Sequence, residues 1–112
     1  MTELTTFVRA CALSDLPDEG MIGVDINGEP VAIVRAQGEI FALRDVCSHA
    51  EVALSEGEVY DYTIECWLHG SCFDLRTGNP TGPPATVAVP TYPVKLEGDD
   101  VLVSLGAQVP GR

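Results

Sequence analysis

At 112 residues the chain has room for one compact domain and little beyond it, and 46 % hydrophobic with 21 % charged residues is a globular balance rather than a disordered one. Six Lys and Arg against 17 Asp and Glu leave a formal charge of -11, which excludes binding to a phosphate backbone and docking on anionic membranes, both of which need clustered cations. Partners with basic surfaces are favoured instead. The N-terminus, Met1 to Thr6, lacks a basic start followed by an apolar core, and no run approaches the ~20 apolar residues of a spanning helix. A soluble, cytoplasmic, monomeric protein is therefore expected.

Short β-like runs separated by turn signals follow one another along the chain. Phe7–Cys11 opens the first strand, and Leu16-Pro-Asp-Glu-Gly20 breaks it. Met21–Ile26 and Pro30–Arg35 flank Asn27-Gly28, a strong hairpin-turn dipeptide. Gln37-Gly38 leads into Ile40–Arg44, which completes a three-stranded meander. Ala50–Gly57 holds one helical turn at most, and Gly78–Pro93 reads as an ordered, Pro- and Gly-rich loop. Tyr92, Val94 and Leu96, then Val101, Val103 and Leu105, alternate with a period of two around Gly98-Asp-Asp100, which predicts a second hairpin closing the core. Six to nine short strands imply an all-β fold, a small antiparallel sandwich or barrel. Residues 45–85 are less regular than either flank, and function is expected there, on loops held by a rigid β scaffold.

That middle segment contains Cys47-Ser-His49 and, sixteen residues later, Cys66-Trp-Leu-His69. These are the only two histidines of the chain, and each falls within three residues of a cysteine. Two soft thiolates and two imidazoles on two short loops make a four-ligand set. Three readings compete: buried thiols beside surface imidazoles, a closed structural zinc site, and a mixed Cys/His iron–sulfur centre. Zinc knuckles usually open with two cysteines, so a Cys-x-His opening fits zinc poorly. Two disulfides among Cys11, Cys47, Cys66 and Cys72 would suit a short secreted chain, and nothing here marks secretion.

Cys47-Ser-His49 with Cys66-Trp-Leu-His69-Gly70 resembles the Rieske signature, in which one iron of a [2Fe-2S] cluster carries two thiolates and the other two imidazoles. Gly82-Pro83-Pro84-Ala85 resembles the proline loop that covers the cluster in that family, and the flanking β pattern extends the likeness over nearly the whole chain. The resemblance implies one Rieske domain over residues 1–112, with a cluster-binding subdomain at roughly 45–85 inserted between the flanking strands. It implies that Cys47 and Cys66 hold the buried iron. His49 and His69 would then hold the outer, reducible iron close to solvent.

Departures from subfamily patterns narrow this further. Respiratory and photosynthetic members add a cysteine to each ligand loop, joined as a disulfide; Leu68 and the segment Ala50–Val52 stand at those places here. High-potential members place a serine and a tyrosine after the second histidine. Ser71 matches the first and Phe73 replaces the second, so one donor toward the sulfurs is kept, one is lost, and a low potential is expected. Trp67 is either a docking contact or packing over the loop, with packing favoured. Cys72 reads as a buried thiol, and a bond to Cys11 would be resisted by cytoplasmic reduction. Asp45, Glu51, Glu56, Glu58, Asp61, Glu65 and Asp74 form either a solvated surface or a steering field toward a basic partner.

With both histidines committed, none remains for the mononuclear iron of a ring-hydroxylating oxygenase. The resemblance therefore implies a one-electron carrier rather than an enzyme, similar to the ferredoxin components of multicomponent non-haem iron dioxygenases. It would take electrons from a flavin-dependent reductase and pass them to a terminal oxygenase. The alternatives are the small subunit of an assimilatory nitrite reductase, a carrier serving iron–sulfur cluster assembly, and, from a different class, a zinc-stabilised interaction domain.

Overall fold

The computed structural model describes residues 7–47, 52–68, 70–82 and 85–104. These carry ten strands: β1 (Val8–Ala12), β2 (Gly20–Ile26), β3 (Glu29–Ala36), β4 (Glu39–Arg44), β5 (Glu58–Tyr60), β6 (Thr63–Glu65), β7 (Cys72–Asp74), β8 (Thr91–Tyr92), β9 (Val94–Glu97) and β10 (Asp100–Val103). Two single 3₁₀ turns, Leu13–Asp15 and Leu54–Glu56, are the helical elements among the described residues, and no helix among them is long and apolar enough to cross a membrane. The strands form three antiparallel sheets with orders β1-β10-β9, β2-β3-β4-β8 and β5-β6-β7.

The all-β antiparallel expectation is borne out. The strand count exceeds six to nine because the middle segment contributes three strands of three residues each. Stretches that short contain too few alternations to show a period in the sequence.

The meander forms as its turn residues dictate. Asn27 and Gly28 have φ of 53° and 88°, and Gln37 and Gly38 have 54° and 76°. Two successive residues with positive φ are what a type I′ hairpin requires, because its twist matches that of the strands it joins. The pairing runs in register from Met21↔Val34 to Ile26↔Glu29, and from Val31↔Arg44 to Ala36↔Glu39.

The period of two then divides the interior into two cores. On β3, Val31 and Ile33 enter one apolar cluster with Cys11, Ala42, Tyr92, Val101 and Val103. Ala32, Val34 and Ala36, on the opposite face of the same strand, enter a second with Leu43, Leu54, Ile64 and Phe73. The continuous apolar run of β3 is thus explained by burial on both faces. The C-terminal hairpin closes the first core through Val101 and Val103, whereas Leu96, expected on its apolar side, stands half exposed. Leu105 lies outside the described residues.

Candidate metal centre

The second core is where the site residues converge. Cys47 follows β4 and Cys66 follows β6; both are buried, and both belong to that one apolar cluster with Ala85, Val89 and Leu75. Neither forms a disulfide. His49, His69 and Pro83 lie outside the described residues, so the described part of the site is Cys47 and Cys66 together with the framework that holds the three loops.

Each loop is closed by its own backbone. In the first, the Cys47 N–H donates to the Val52 carbonyl at 2.9 Å, and the Gly57 N–H donates to the Leu54 carbonyl at 2.9 Å. In the second, the β6–β7 hairpin brackets the loop. The Cys66 N–H donates to the Ser71 carbonyl at 2.7 Å and the Gly70 N–H donates to the Cys66 carbonyl at 3.1 Å. Gly70 has φ of 76°, so the glycine after the second expected histidine supplies the left-handed residue that lets this turn close. In the third, the Val89 N–H donates to the Gly78 carbonyl at 2.9 Å, and the Thr81 N–H donates to the Cys72 carbonyl at 2.8 Å.

Ser71 ties the second loop to the third. It is fully buried, and its Oγ accepts the Ala85 N–H at 3.2 Å. A hydroxyl that accepts in this way keeps its own O–H as a donor. Phe73 is also fully buried, pairs with Ile64 across β6–β7, and bridges to Pro80. Its role is to fill the core beneath the loops.

Other expectations divide. Trp67 and Leu68 are exposed, at 52 % and 38 %, so Trp67 faces solvent rather than packing over its loop. Cys72 is only partly buried on β7, its Sγ 3.7 Å from the Gly70 carbonyl, and it carries no disulfide; the same holds for buried Cys11. Burial, reinforced by Glu65, pushes the Cys72 thiol up from its ordinary range, which keeps it protonated.

The acidic group does not act as one surface. Asp45 is buried and accepts two hydrogen bonds from Ser55, and Asp74 pairs with Arg76 at 3.1 Å. Glu56, Glu58 and Glu65 instead line an open groove of about 330 Å³ with Tyr60 and Trp67, beside the second loop. Glu51 is outside the described residues.

The geometry suits a cluster with thiolate ligands. Two cysteines from loops far apart in sequence reach one apolar core without a disulfide, and the walls around them are made of backbone-closed turns. An iron–sulfur centre needs such an enclosure, with hydrogen-bond donors near the sulfurs.

Comparison with known proteins agrees. The family pattern of the Rieske [2Fe-2S] domain matches residues 6–93. The chain is 45 % identical over 97 residues to the ferredoxin component of a biphenyl 2,3-dioxygenase from Rhodococcus jostii (strain RHA1), covering 87 % of this chain and 91 % of that protein. It superposes on the ferredoxin of carbazole 1,9a-dioxygenase from Nocardioides aromaticivorans IC177 with a TM-score of 0.84 and 37 % identity, covering 88 % and 97 % of the two chains. A chain in a complex of reduced oxygenase and oxidized ferredoxin of a carbazole 1,9a-dioxygenase matches with a TM-score of 0.83 and 31 % identity, over 90 % of this chain and 94 % of that one. The chain belongs to the Rieske [2Fe-2S] domain family, and its cofactor is one [2Fe-2S] cluster.

Proposed function

We propose that Cys47, His49, Cys66 and His69 hold the cluster, and that the chain carries single electrons from a flavin-dependent reductase to a terminal non-haem iron oxygenase. When bound, the cluster supplies a one-electron couple, with soft thiolates suited to one iron and imidazoles to the other. The observation that carries the reading is the convergence of Cys47 and Cys66 on one buried core from two backbone-closed loops. Each cysteine stands in the Cys-x-His or Cys-x-x-His spacing that supplies the remaining two ligands.

The protein's own residues do the rest. The loops exclude water from the thiolates, and Ser71 offers a hydroxyl proton from a fully buried position. Residues 45–85 form the cluster-binding subdomain, built on the β5-β6-β7 sheet and braced on the central sheet through the second core. The exposed Trp67 and Leu68 and the acidic groove beside them suit contact with a basic partner surface. The protein works as a soluble cytoplasmic monomer.

The chain is an electron-transfer component and not itself the catalyst, as its relatives are ferredoxin components of dioxygenase systems. The test is reconstitution with a flavin reductase and a ring-hydroxylating oxygenase. Oxygenase turnover should depend on the chain, which should contain iron and acid-labile sulfide at two each. His49→Ala and His69→Ala should each abolish the native visible spectrum and the relay. A full native spectrum in either variant would contradict the ligand assignment. Reduction of the loaded protein without transfer to any such oxygenase would contradict the partner.

A further inference from the structure

Asp45 stands two residues before Cys47 at the mouth of the first ligand loop, and it is held at both ends. Its N–H donates to the Pro30 carbonyl on β3 at 3.0 Å. Its side chain accepts the Ser55 N–H on Oδ1 and the Ser55 Oγ–H on Oδ2, each at 2.6 Å. Residue 45 is 7 % exposed, and none of the ion pairs among the described residues involves it. A carboxylate is the side chain that accepts on two oxygens and donates on neither, so it can take both hydrogens of one serine at once.

The central sheet makes room for this pair. A Cβ on Gly23 of β2 would fall 2.7 Å from Asp45 Oδ2 and 2.7 Å from Ser55 Oγ. The bare backbone of Gly23 therefore forms the floor on which the carboxylate and the hydroxyl meet. The Cys47 N–H bond to Val52 lies between the two bonded residues in sequence, at 2.9 Å. His49 stands between Cys47 and Val52 in sequence.

We infer that Asp45 is the positioning residue of the first ligand loop, fixing the placement of Cys47 through Ser55 on the Gly23 floor. It rests on the ligand assignment proposed above. Without the pair, the segment after Cys47 is held to the central sheet by the packing of Leu54 in the second core and by the Cys47–Val52 backbone bond, with its polar anchor gone, and it opens more often. Partners that orient metal ligands are commonly worth 10–100-fold in metal affinity, which sets the scale of about 10–100-fold for the effect here.

The test compares iron release from the loaded holoprotein to a chelator, followed by visible absorbance, with the anisotropic spectrum of the reduced protein. Asp45→Ala should release iron about 10–100-fold faster and broaden the reduced spectrum. Asp45→Asn should restore most of both, because its amide oxygen still accepts the Ser55 N–H and its NH₂ can donate to Ser55 Oγ. Gly23→Ala should reproduce Asp45→Ala while changing no polar group. It keeps the inference testable if Asp45→Ala fails to fold. Val101→Ala, in the other core, serves as the control for general destabilisation.

Iron release as slow in Asp45→Ala or Gly23→Ala as in the unaltered protein would overturn the inference. So would equal acceleration in Val101→Ala, or an Asp45→Asn variant no better than Asp45→Ala. The ligand assignment fails separately, through retention of a native spectrum in His49→Ala.

Discussion

A methyl group on Gly57 would meet the carbonyl oxygen of Glu65 at 1.7 Å. Gly57 ends the first ligand loop and Glu65 immediately precedes Cys66, so the two loops touch backbone to backbone through a residue without a side chain. The backbone of Gly57 has φ of -93°, outside the left-handed region, and the close approach to Glu65 is the constraint. Gly57→Ala should therefore push the loops apart. Overpacking of this kind costs roughly 1–3 kcal/mol, and a backbone oxygen that cannot swing away places the cost at the upper end. Chemical denaturation of the loaded protein measures it, and a change below about 0.5 kcal/mol would contradict the close approach.

Ser71 serves both as acceptor for the Ala85 N–H and as a buried source of a hydroxyl proton. Ser71→Ala leaves a buried N–H unsatisfied, at about 1–3 kcal/mol, and removes a donor that favours the reduced, more negative centre. Stability and midpoint potential should both fall. With Phe73 lacking the second hydroxyl, the unaltered protein should sit in the lower part of the range of about -150 to +300 mV. Chemical denaturation reads the stability, and protein-film voltammetry reads the midpoint potential. A midpoint near the top of that range, or one unmoved by Ser71→Ala, would contradict the assignment of this donor.

Arg76 links two sheets. It binds Asp74 through Nε at 3.2 Å and Nη2 at 3.1 Å, and its guanidinium lies 4.5 Å from the centre of the Tyr62 ring. That ring meets Phe41 of β4 edge-on at 6.1 Å, and the Tyr62 hydroxyl donates to Glu39 at 3.0 Å. Arg76 holds the Asp74 carboxyl below its ordinary value of 3.8. A lowered folded-state value gives stability that is fully present above 3.8 and is lost as pH falls through the folded value. Arg76→Ala should destabilise the protein slightly at neutral pH, as loss of an exposed ion pair and a cation–π contact does. The gap between variant and unaltered protein should narrow below pH 3.8. Denaturation curves at pH 7 and pH 3 check the sign, and a gap that widens in acid would be inconsistent with it.

Glu56, Glu58 and Glu65 meet around Tyr60 and Trp67. A local concentration of carboxylates on a chain of charge -11 should accelerate encounter with a basic partner, within the usual 10–10³-fold span of electrostatic steering. Replacing all three by Gln should slow second-order electron transfer about tenfold at low salt and little at high salt. Stopped-flow rates across ionic strength give the result. A rate insensitive to salt in the unaltered protein would count against steering.

The legible part of the fold was the part with long, regular signals. Asn27-Gly28 and Gln37-Gly38 announce their hairpins because positive φ at consecutive residues is chemically demanding, and Val31–Val34 announces a strand buried on both faces. The cysteine pair was legible as a candidate from its spacing, since ligand loops carry their chemistry in a few residues. The brace around it was not. Strands β5, β6 and β7 have three residues each, and nothing local distinguishes them from loop. Asp45 reads as one more surface acid, because its burial depends on Ser55 ten residues on and on the absence of a side chain at Gly23. Trp67 reads as a packing residue by type, and only the turn between Cys66 and Gly70 turns it outward.

Ligation of the cluster by two imidazoles and two thiolates is read most directly by pulsed electron spin-echo spectroscopy of the reduced protein. Strong couplings to nitrogens of two imidazoles are expected, with the native signal lost in both His49→Ala and His69→Ala. A reduced centre without strongly coupled imidazole nitrogen, or one that persists unchanged in either variant, would contradict it.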